Sequence, residues 1–317
     1  MKRAIEDGIL KDLDTKIVLL SGPRQVGKTT LSRALYPKSF EYLNFDYAEH
    51  RLLIRRQSWK RDADLVVFDE LHKMPKWKRW VKGIYDVEGV RPRLLVTGSA
   101  RLDVFRKGGD SLAGRFFSYR LHPLDAAELK DLGYKPEEAF RRILDFGGFP
   151  EPFLKASKLA SKRWHRTYID RILRQDLLDM ALVKDARGII TLVELLKRSV
   201  GNLISYDSLA RDLDVSPHTA KHWIEILESL YIIFTVTPYS KNIARSLLKQ
   251  PKVYFYDTGC LPEDKAVRFE NAVACALIKR LHYLEDTAGE RNTLHYLRDK
   301  NKKEVVSLSA LRLLRHL

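Results

Sequence analysis

Residues 22–29 read Gly-Pro-Arg-Gln-Val-Gly-Lys-Thr, preceded by the apolar run Ile17-Val18-Leu19-Leu20 and followed by the amphipathic stretch Lys28–Leu35. A strand that runs into a glycine-bounded turn and then a helix lets consecutive backbone N–H groups converge on an anion. The helix N-terminus adds its partial positive charge. The order strand, loop, helix therefore predicts a phosphate-binding loop at a nucleotide site. Gly22 and Gly27 give the backbone room, and Pro23, Arg24, Gln25 and Val26 complete the cradle. Lys28 is expected to reach the β and γ phosphates, Thr29 to hold Mg²⁺ through its hydroxyl, and Thr30 to help cap and pack the helix start.

A second apolar run, Leu65-Val66-Val67-Phe68, ends in Asp69-Glu70. Four consecutive apolar residues suit a strand covered on both faces, whose C-terminal end faces a ligand crevice. Asp69 is the expected partner of Thr29 at Mg²⁺, and Glu70 the base that polarises a water for attack on the γ phosphate. A third run, Arg93-Leu94-Leu95-Val96, ends in Thr97-Gly98-Ser99. There Ser99 or Thr97 either senses the γ phosphate or caps the following turn. Asp46, after the strand candidate Phe40 to Phe45, either lines the same crevice or is a satisfied turn carboxylate.

The 317 residues suffice for two or three domains, and 45% hydrophobic with 31% charged residues is ordinary for a folded chain. No apolar run approaches membrane-spanning length and Met1-Lys2-Arg3 leads into Glu6-Asp7, so a cytoplasmic protein without a membrane partner is expected. Cys260 and Cys275 lack metal-ligand spacing and are expected to be reduced and partly buried. The net charge of +16 is clustered. Residues 51–61 carry Arg51, Arg55, Arg56, Lys60 and Arg61 without an acid. Residues 73–82 interleave Lys73, Lys76, Lys78, Arg79 and Lys82 with Trp77 and Trp80, and 155–174 hold seven basic side chains against Asp170. Such stripes either track a phosphate backbone or are solvated helix faces; the tryptophans are either stacking platforms or core packing.

Residues 122–200 read as a helical region interrupted by the turn Gly147-Gly148-Phe149-Pro150, a candidate hinge or a tight loop. Beyond it, Ser205 to Leu213 and the helix opened by Ser216-Pro217 form a helix-turn-helix pattern. Ser216 is the expected N-cap, and Ala220, Trp223, Ile224, Leu227, Leu230 and Tyr231 form one apolar face. Paired strands at Tyr231–Thr237 and Val253–Tyr256 would enclose Lys241, Arg245, Lys249 and Lys252, making a winged helix with a basic wing. The outward face of the second helix offers one lysine against Glu225 and Glu228, so the wing and the basic stripes are the better candidates for DNA contact.

Together these motifs resemble a prokaryotic AAA-type P-loop ATPase family with a C-terminal winged-helix and restriction-endonuclease-like region. The resemblance rests on the phosphate loop, Tyr42-Leu43-Asn44-Phe45-Asp46, Phe68-Asp69-Glu70, Thr97-Gly98-Ser99, Leu112-Ala113-Gly114-Arg115, His122-Pro123-Leu124, Gly147-Gly148-Phe149-Pro150 and Phe269-Glu270-Asn271. It implies an α/β fold of the additional-strand P-loop class, a parallel sheet sandwiched by helices, followed by a helical lid, a winged helix and a truncated nuclease-like α/β remnant. The expected boundaries are 1–121, 122–200, 201–262 and 263–317. The resemblance also gives Arg115 a role at the γ phosphate, in its own chain or from a neighbouring subunit of an oligomer, and places a metal-binding carboxylate at Glu270. Where a second would follow Glu304-Val305 stands Val306, and the chain ends soon after. A remnant inactive as a nuclease is expected, as a shifted reading frame would produce. The expected activity is Mg²⁺-dependent ATP hydrolysis, catalysed by Lys28, Glu70, Arg115 and Ser99 and coupled to movement of the winged helix on DNA. The alternative is a slow nucleotide-dependent switch that binds DNA or a protein.

Overall fold

The computed structural model describes residues 1–98, 112, 114–180, 186–239, 249–298 and 304–309. The chain divides into two compact units, Met1–His122 with Asp286–Ala288, and a second that holds the other described residues.

The first unit runs α1 (Glu6–Leu13), β1 (Ile17–Ser21), α2 (Lys28–Leu35), β2 (Phe40–Asn44), α3 (Ala48–Arg56), β3 (Leu65–Asp69), a 3₁₀ turn (Leu71–Lys73), α4 (Trp77–Glu88), β4 (Arg93–Thr97) and β5 (Phe116–Arg120). The sheet order is β2-β3-β4-β1-β5 and every pairing is parallel. Strand β4 therefore lies between the strand that enters the loop and the strand that ends in Asp69, as the additional-strand class requires. The three inner strands are buried along their whole length, the pattern of a sheet covered on both faces.

On one face Ile17, Leu19, Leu43, Phe68, Leu94 and Val96 pack with Trp77, Val81 and Ile84 of α4. Trp80 meets Trp59 and Phe68 edge to face, with ring centroids 5.7 and 5.4 Å away. Trp77 is 4% exposed, so both tryptophans of the basic stripe are packing groups rather than platforms for bases. Alternation sends Val18, Leu20, Val67 and Leu95 to the other face, which α1 and α2 cover with buried Ile9, Leu13, Leu31 and Leu35.

Parallel register brings the C-terminal ends of all five strands, Ser21, Asn44, Asp69, Thr97 and Arg120, to one edge of the sheet. The opposite edge is fastened by ion pairs. Arg93 donates from Nε and Nη2 to Asp14 Oδ1 at 2.8 and 2.6 Å, and Arg115 Nε donates to Asp86 Oδ1 at 2.6 Å.

The second unit continues with α5 (Ala126–Asp131), α6 (Pro136–Phe146), α7 (Pro150–Lys155), α8 (Lys158–Met180), α9 (Ala186–Arg198), α10 (Tyr206–Leu213), α11 (Pro217–Ser229), β6 (Ile233–Pro238), β7 (Lys252–Phe255), α12 (Lys265–Ala288), β8 (Thr293–Arg298) and β9 (Glu304–Ser309). Ser205 Oγ accepts from the Ser208 N–H and Ser216 Oγ from the Thr219 N–H, so both helices of the predicted pair start at their expected caps. The predicted apolar face of α11 is buried from Ala220 to Tyr231. The sheet order is β7-β6-β8-β9, so the hairpin expected of a wing and the C-terminal strands share one sheet. Lys241 and Arg245, like Leu311, Leu313 and Leu314, lie outside the described residues. Lys252 is buried, with Nζ 3.6 Å from Glu270 Oε1 and facing the Tyr296 ring, and so leaves the exposed basic wing.

The Gly147-Gly148-Phe149-Pro150 step is a buried joint of this unit rather than an exposed hinge. Gly148 O accepts from the Leu124 N–H at 2.7 Å, and a Cβ on Gly147, at φ +80°, would strike Asp257 Oδ1. Asp257 lies 2.7 Å from His165 Nε2, while His165 Nδ1 lies 2.7 Å from the Ser161 carbonyl. Burial pulls the His165 imidazole down, but the Asp257 carboxylate outweighs it and leaves the pKa raised above 6.5. Asn271 is fully buried and brackets β7: its Oδ1 accepts from Phe255 N at 2.8 Å, and its Nδ2 donates to Phe255 O at 2.9 Å and to Thr258 Oγ1 at 3.0 Å. Burial also pushes both cysteine thiols up, keeping them protonated.

Asn271→Ala leaves the buried Phe255 N–H without its Asn271 partner and the Phe255 carbonyl to the Cys275 thiol at 3.0 Å, so urea unfolding should show a loss of about 2 kcal/mol. A histidine whose folded pKa is raised stabilises fully below its unfolded value and loses that contribution as pH rises through the folded one. The thermal midpoint is therefore expected to fall as pH rises above about 6.5, and Asp257→Asn to flatten that slope.

Candidate nucleotide site

The loop of residues 22–27 leaves β1 at the edge where the strand ends converge. Gly22 has φ +146°, and a Cβ there would collide with the Leu121 carbonyl oxygen on the neighbouring chain segment. Gln25 (φ +60°) and Gly27 (φ +103°) are also left-handed, and Gly27 is the N-cap of α2. It has no side chain with which to cap, so the first turn of α2 meets the crevice with its backbone N–H groups. Thr30 is exposed in that turn and does not cap it; the buried hydroxyl is that of Ser32, which donates to Lys28 O at 2.9 Å. Lys28 is buried beneath the loop, its Nζ donating to Gly22 O at 2.9 Å and Pro23 O at 2.7 Å. The loop is latched from outside by a residue the motif does not predict: buried Arg3 donates from Nη1 to Val26 O at 3.1 Å and from Nη2 to His122 O at 2.5 Å.

Across the crevice the Asp69 carboxylate is fully engaged. Oδ1 accepts from Thr97 Oγ1 at 2.5 Å and from the Glu70 N–H at 3.1 Å, and Oδ2 accepts from the Tyr42 hydroxyl. Burial and the bond to Asp69 push the Tyr42 phenol up to about 12, so it stays a protonated donor. Tyr42 and Asp69 occupy diagonal positions on one face of the β2–β3 pair, because Tyr42 is in register with Val67 and Asn44 with Asp69. The Arg33 guanidinium of α2 lies 4.9 Å from the tyrosine ring. The bond of Thr97 to Asp69 is neither of the two roles expected for it.

Glu70 takes a left-handed backbone (φ +56°, ψ +22°) that is rare for a residue with a side chain and recurs at functional sites. Its N–H donates to Thr97 O at 2.9 Å, fixing the turn. Burial raises the Glu70 pKa, against the lowering pull of Lys73, Lys28 and Arg24. Lys73 Nζ stands between Glu70 Oε2 at 3.3 Å and Asp46 Oδ2 at 2.5 Å, so Asp46 joins the site through Lys73. Buried His72 lies 3.6 Å from the same Glu70 oxygen.

Lys28, Thr29, Asp69 and Glu70 thus come together, while Arg115 does not join them. Ser99 lies outside the described residues. Arg115 immediately precedes Phe116, which is in register with Ile17 at the start of β1, so it stands at the opposite edge of the sheet from the loop. Its bond to Asp86 holds it there, which removes it from the γ phosphate of its own chain. Glu270 accepts from the Tyr254 hydroxyl at 2.7 Å, and among the described residues no group of three His, Cys, Asp or Glu side chains is placed to hold a metal ion.

The residues present fit a magnesium nucleotide. Thr29 lies in the first turn of α2, the Asp69 carboxylate ends β3, and the loop offers helix-terminal N–H groups beside a glycine that tolerates no Cβ. Residues 14–130 match the AAA domain family, and residues 137–264 match a family described as Domain of unknown function (DUF8612). The uncharacterized protein Rv2008c of Mycobacterium tuberculosis is 33% identical over 250 residues, 77% of this chain and 55% of that protein. The uncharacterized protein MJ1544 of Methanocaldococcus jannaschii is 24% identical over 328 residues, 92% and 72% of the two chains. The chain thus spans about half the length of the mycobacterial relative. Among solved structures, the STAND ATPase with a tetratricopeptide repeat sensor, PH0952, from Pyrococcus horikoshii aligns with 91% of this chain and 48% of its own at 13% identity. The TM-score is 0.32, too distant a likeness to carry an argument. The parallel five-stranded sheet with its loop and the AAA match mark the first unit as an AAA-type P-loop domain. No helix among the described residues is long and apolar enough to cross a membrane.

Gly22→Ala forces a Cβ into a backbone carbonyl at a left-handed φ, so chemical denaturation should show a loss of at least about 2 kcal/mol, with nucleotide binding lost in the fraction that still folds.

Proposed function

We propose that this chain binds ATP at residues 22–30 and hydrolyses it with Mg²⁺. The convergence of Lys28, Thr29, Asp69 and Glu70 at the strand ends supports the reading. Thr29 and Asp69 would hold Mg²⁺, which supplies positive charge at the phosphates when bound. Water attacks the γ-phosphorus in line, the bond to the bridging oxygen of ADP breaks, and Glu70 takes the proton of the attacking water. Lys28 leaves the loop carbonyls and offsets the charge on the transferred group. An arginine acting on that group would come from another molecule, and Arg115 of a neighbouring subunit is the candidate.

In this reading residues 1–121 are the ATPase domain, 122–200 a helical lid, 201–262 a winged helix and 263–317 a nuclease-like remnant. Turnover moves the winged-helix region, with DNA as the proposed partner and a protein as the alternative. A slow switch is favoured by one observation: the ammonium of Lys28 and the carboxylate of Glu70 are both already engaged, by loop carbonyls and by Lys73. Such a site turns over slowly until a partner opens it.

Lys28→Ala should abolish binding of a fluorescent ATP analogue. Glu70→Gln should keep binding within about threefold while steady-state hydrolysis falls at least about a hundredfold. Unchanged hydrolysis in Glu70→Gln removes that residue as the base. Stimulation by duplex DNA that fades with added salt identifies a nucleic-acid partner, and indifference to DNA points to a protein.

A further inference from the structure

Tyr42 has no role in the loop chemistry described above, yet its hydroxyl reaches a residue read as a holder of the cation: it donates to Asp69 Oδ2. The two Asp69 oxygens are differently placed. Oδ1 is fixed from within the sheet by Thr97 and by the Glu70 backbone, both of which belong to the fold of the strand ends. Oδ2 is the oxygen that the Tyr42 hydroxyl takes. The tyrosine is well seated for this: its ring is half-buried on β2 and faced by Arg33 of α2.

From this arrangement we infer that Tyr42 is a competitor built into the site: its hydroxyl occupies Asp69 Oδ2 in the ligand-free protein and must release it when a divalent cation and nucleotide are seated. The inference rests on the nucleotide reading and adds to it that the Mg²⁺ requirement of this chain is set by a phenol rather than by the loop alone. An orienting tyrosine, one that merely holds Asp69 for the cation, would have the opposite effect on removal. Competition predicts tighter cation binding once the hydroxyl is gone, and orientation predicts weaker.

The test is Tyr42→Phe, which keeps the ring and removes only the hydroxyl. Binding of a fluorescent ADP analogue is titrated against Mg²⁺ in the variant and the wild type, and thermal midpoints are read with no ligand, with ADP and EDTA, and with ADP and Mg²⁺. Competition requires half-saturation at an about tenfold lower Mg²⁺ concentration in the variant, the loss of one hydrogen bond to a charged group. It also requires a lower midpoint without ligand, an unchanged affinity for ADP in EDTA, and a larger rise on adding ADP and Mg²⁺. A Mg²⁺ requirement that is unchanged or higher in Tyr42→Phe overturns the inference while leaving the nucleotide reading in place. If Tyr42→Phe unfolds, Tyr42→Leu must show the same fall in Mg²⁺ requirement, and its absence counts equally against the inference. Wild-type protein that shows neither binding nor a midpoint shift with ADP and Mg²⁺ overturns the nucleotide reading itself, and the inference with it.

Discussion

Parallel pairing is the constraint on which the first unit depends. Strands that all run one way deliver their C-terminal residues to one edge, and the crossover helices needed to return the chain cover both faces. Because β4 sits between β1 and β3, Thr97 arrives beside Asp69, and the loop that leaves β1 lies on the far side of Thr97. The same rule sends the residues before each strand to the other edge. That is why Arg93 and Arg115, both at strand starts, make structural ion pairs far from the crevice.

Most of the first unit is legible in the sequence because its signals are local. An apolar run, a glycine-bounded loop and a helix lie consecutively, and Asp69-Glu70 follows its strand directly. What escaped was non-local. Arg3 lies two dozen residues from Val26 and almost the whole unit from His122, so nothing in its neighbourhood announces that it latches the loop. Tyr42 stood inside a recognisable motif, but its contact with Asp69 depends on the β2–β3 register, which no single strand encodes. The place of Arg115 depends on pairing in the same way: the resemblance left its role open between its own chain and a neighbouring subunit, and only the parallel pairing of β5 with β1 shows which edge it occupies.

In the second unit the short motifs are structural. Gly147 makes room for Asp257, Asp257 meets His165, and Asn271 substitutes for a neighbouring strand by bonding both backbone groups of Phe255. Polar groups buried this completely favour one arrangement of the chain because any other leaves several of them unpaired. Glu270 illustrates how a carboxylate in a suggestive motif can be employed otherwise: Tyr254 and Lys252 engage it, and the adjacent Gly201 leaves it space.

Strand β6 lies between β7 and β8, and β7 is bridged on its outer side by Val200 and Leu203. Sheets commonly capture extended peptides by adding them as an extra strand, which requires an unpaired row of backbone donors and acceptors. Along β6 the β7 side is paired over Ile233–Val236 and the β8 side at Thr237 and Pro238, while Glu228 Oε1 takes the Thr235 N–H. Little of the β6 backbone is therefore open to an added strand, and a partner that docks beside α10 and α11 would meet chiefly side chains, whose exchange would change its identity without disturbing the sheet beneath.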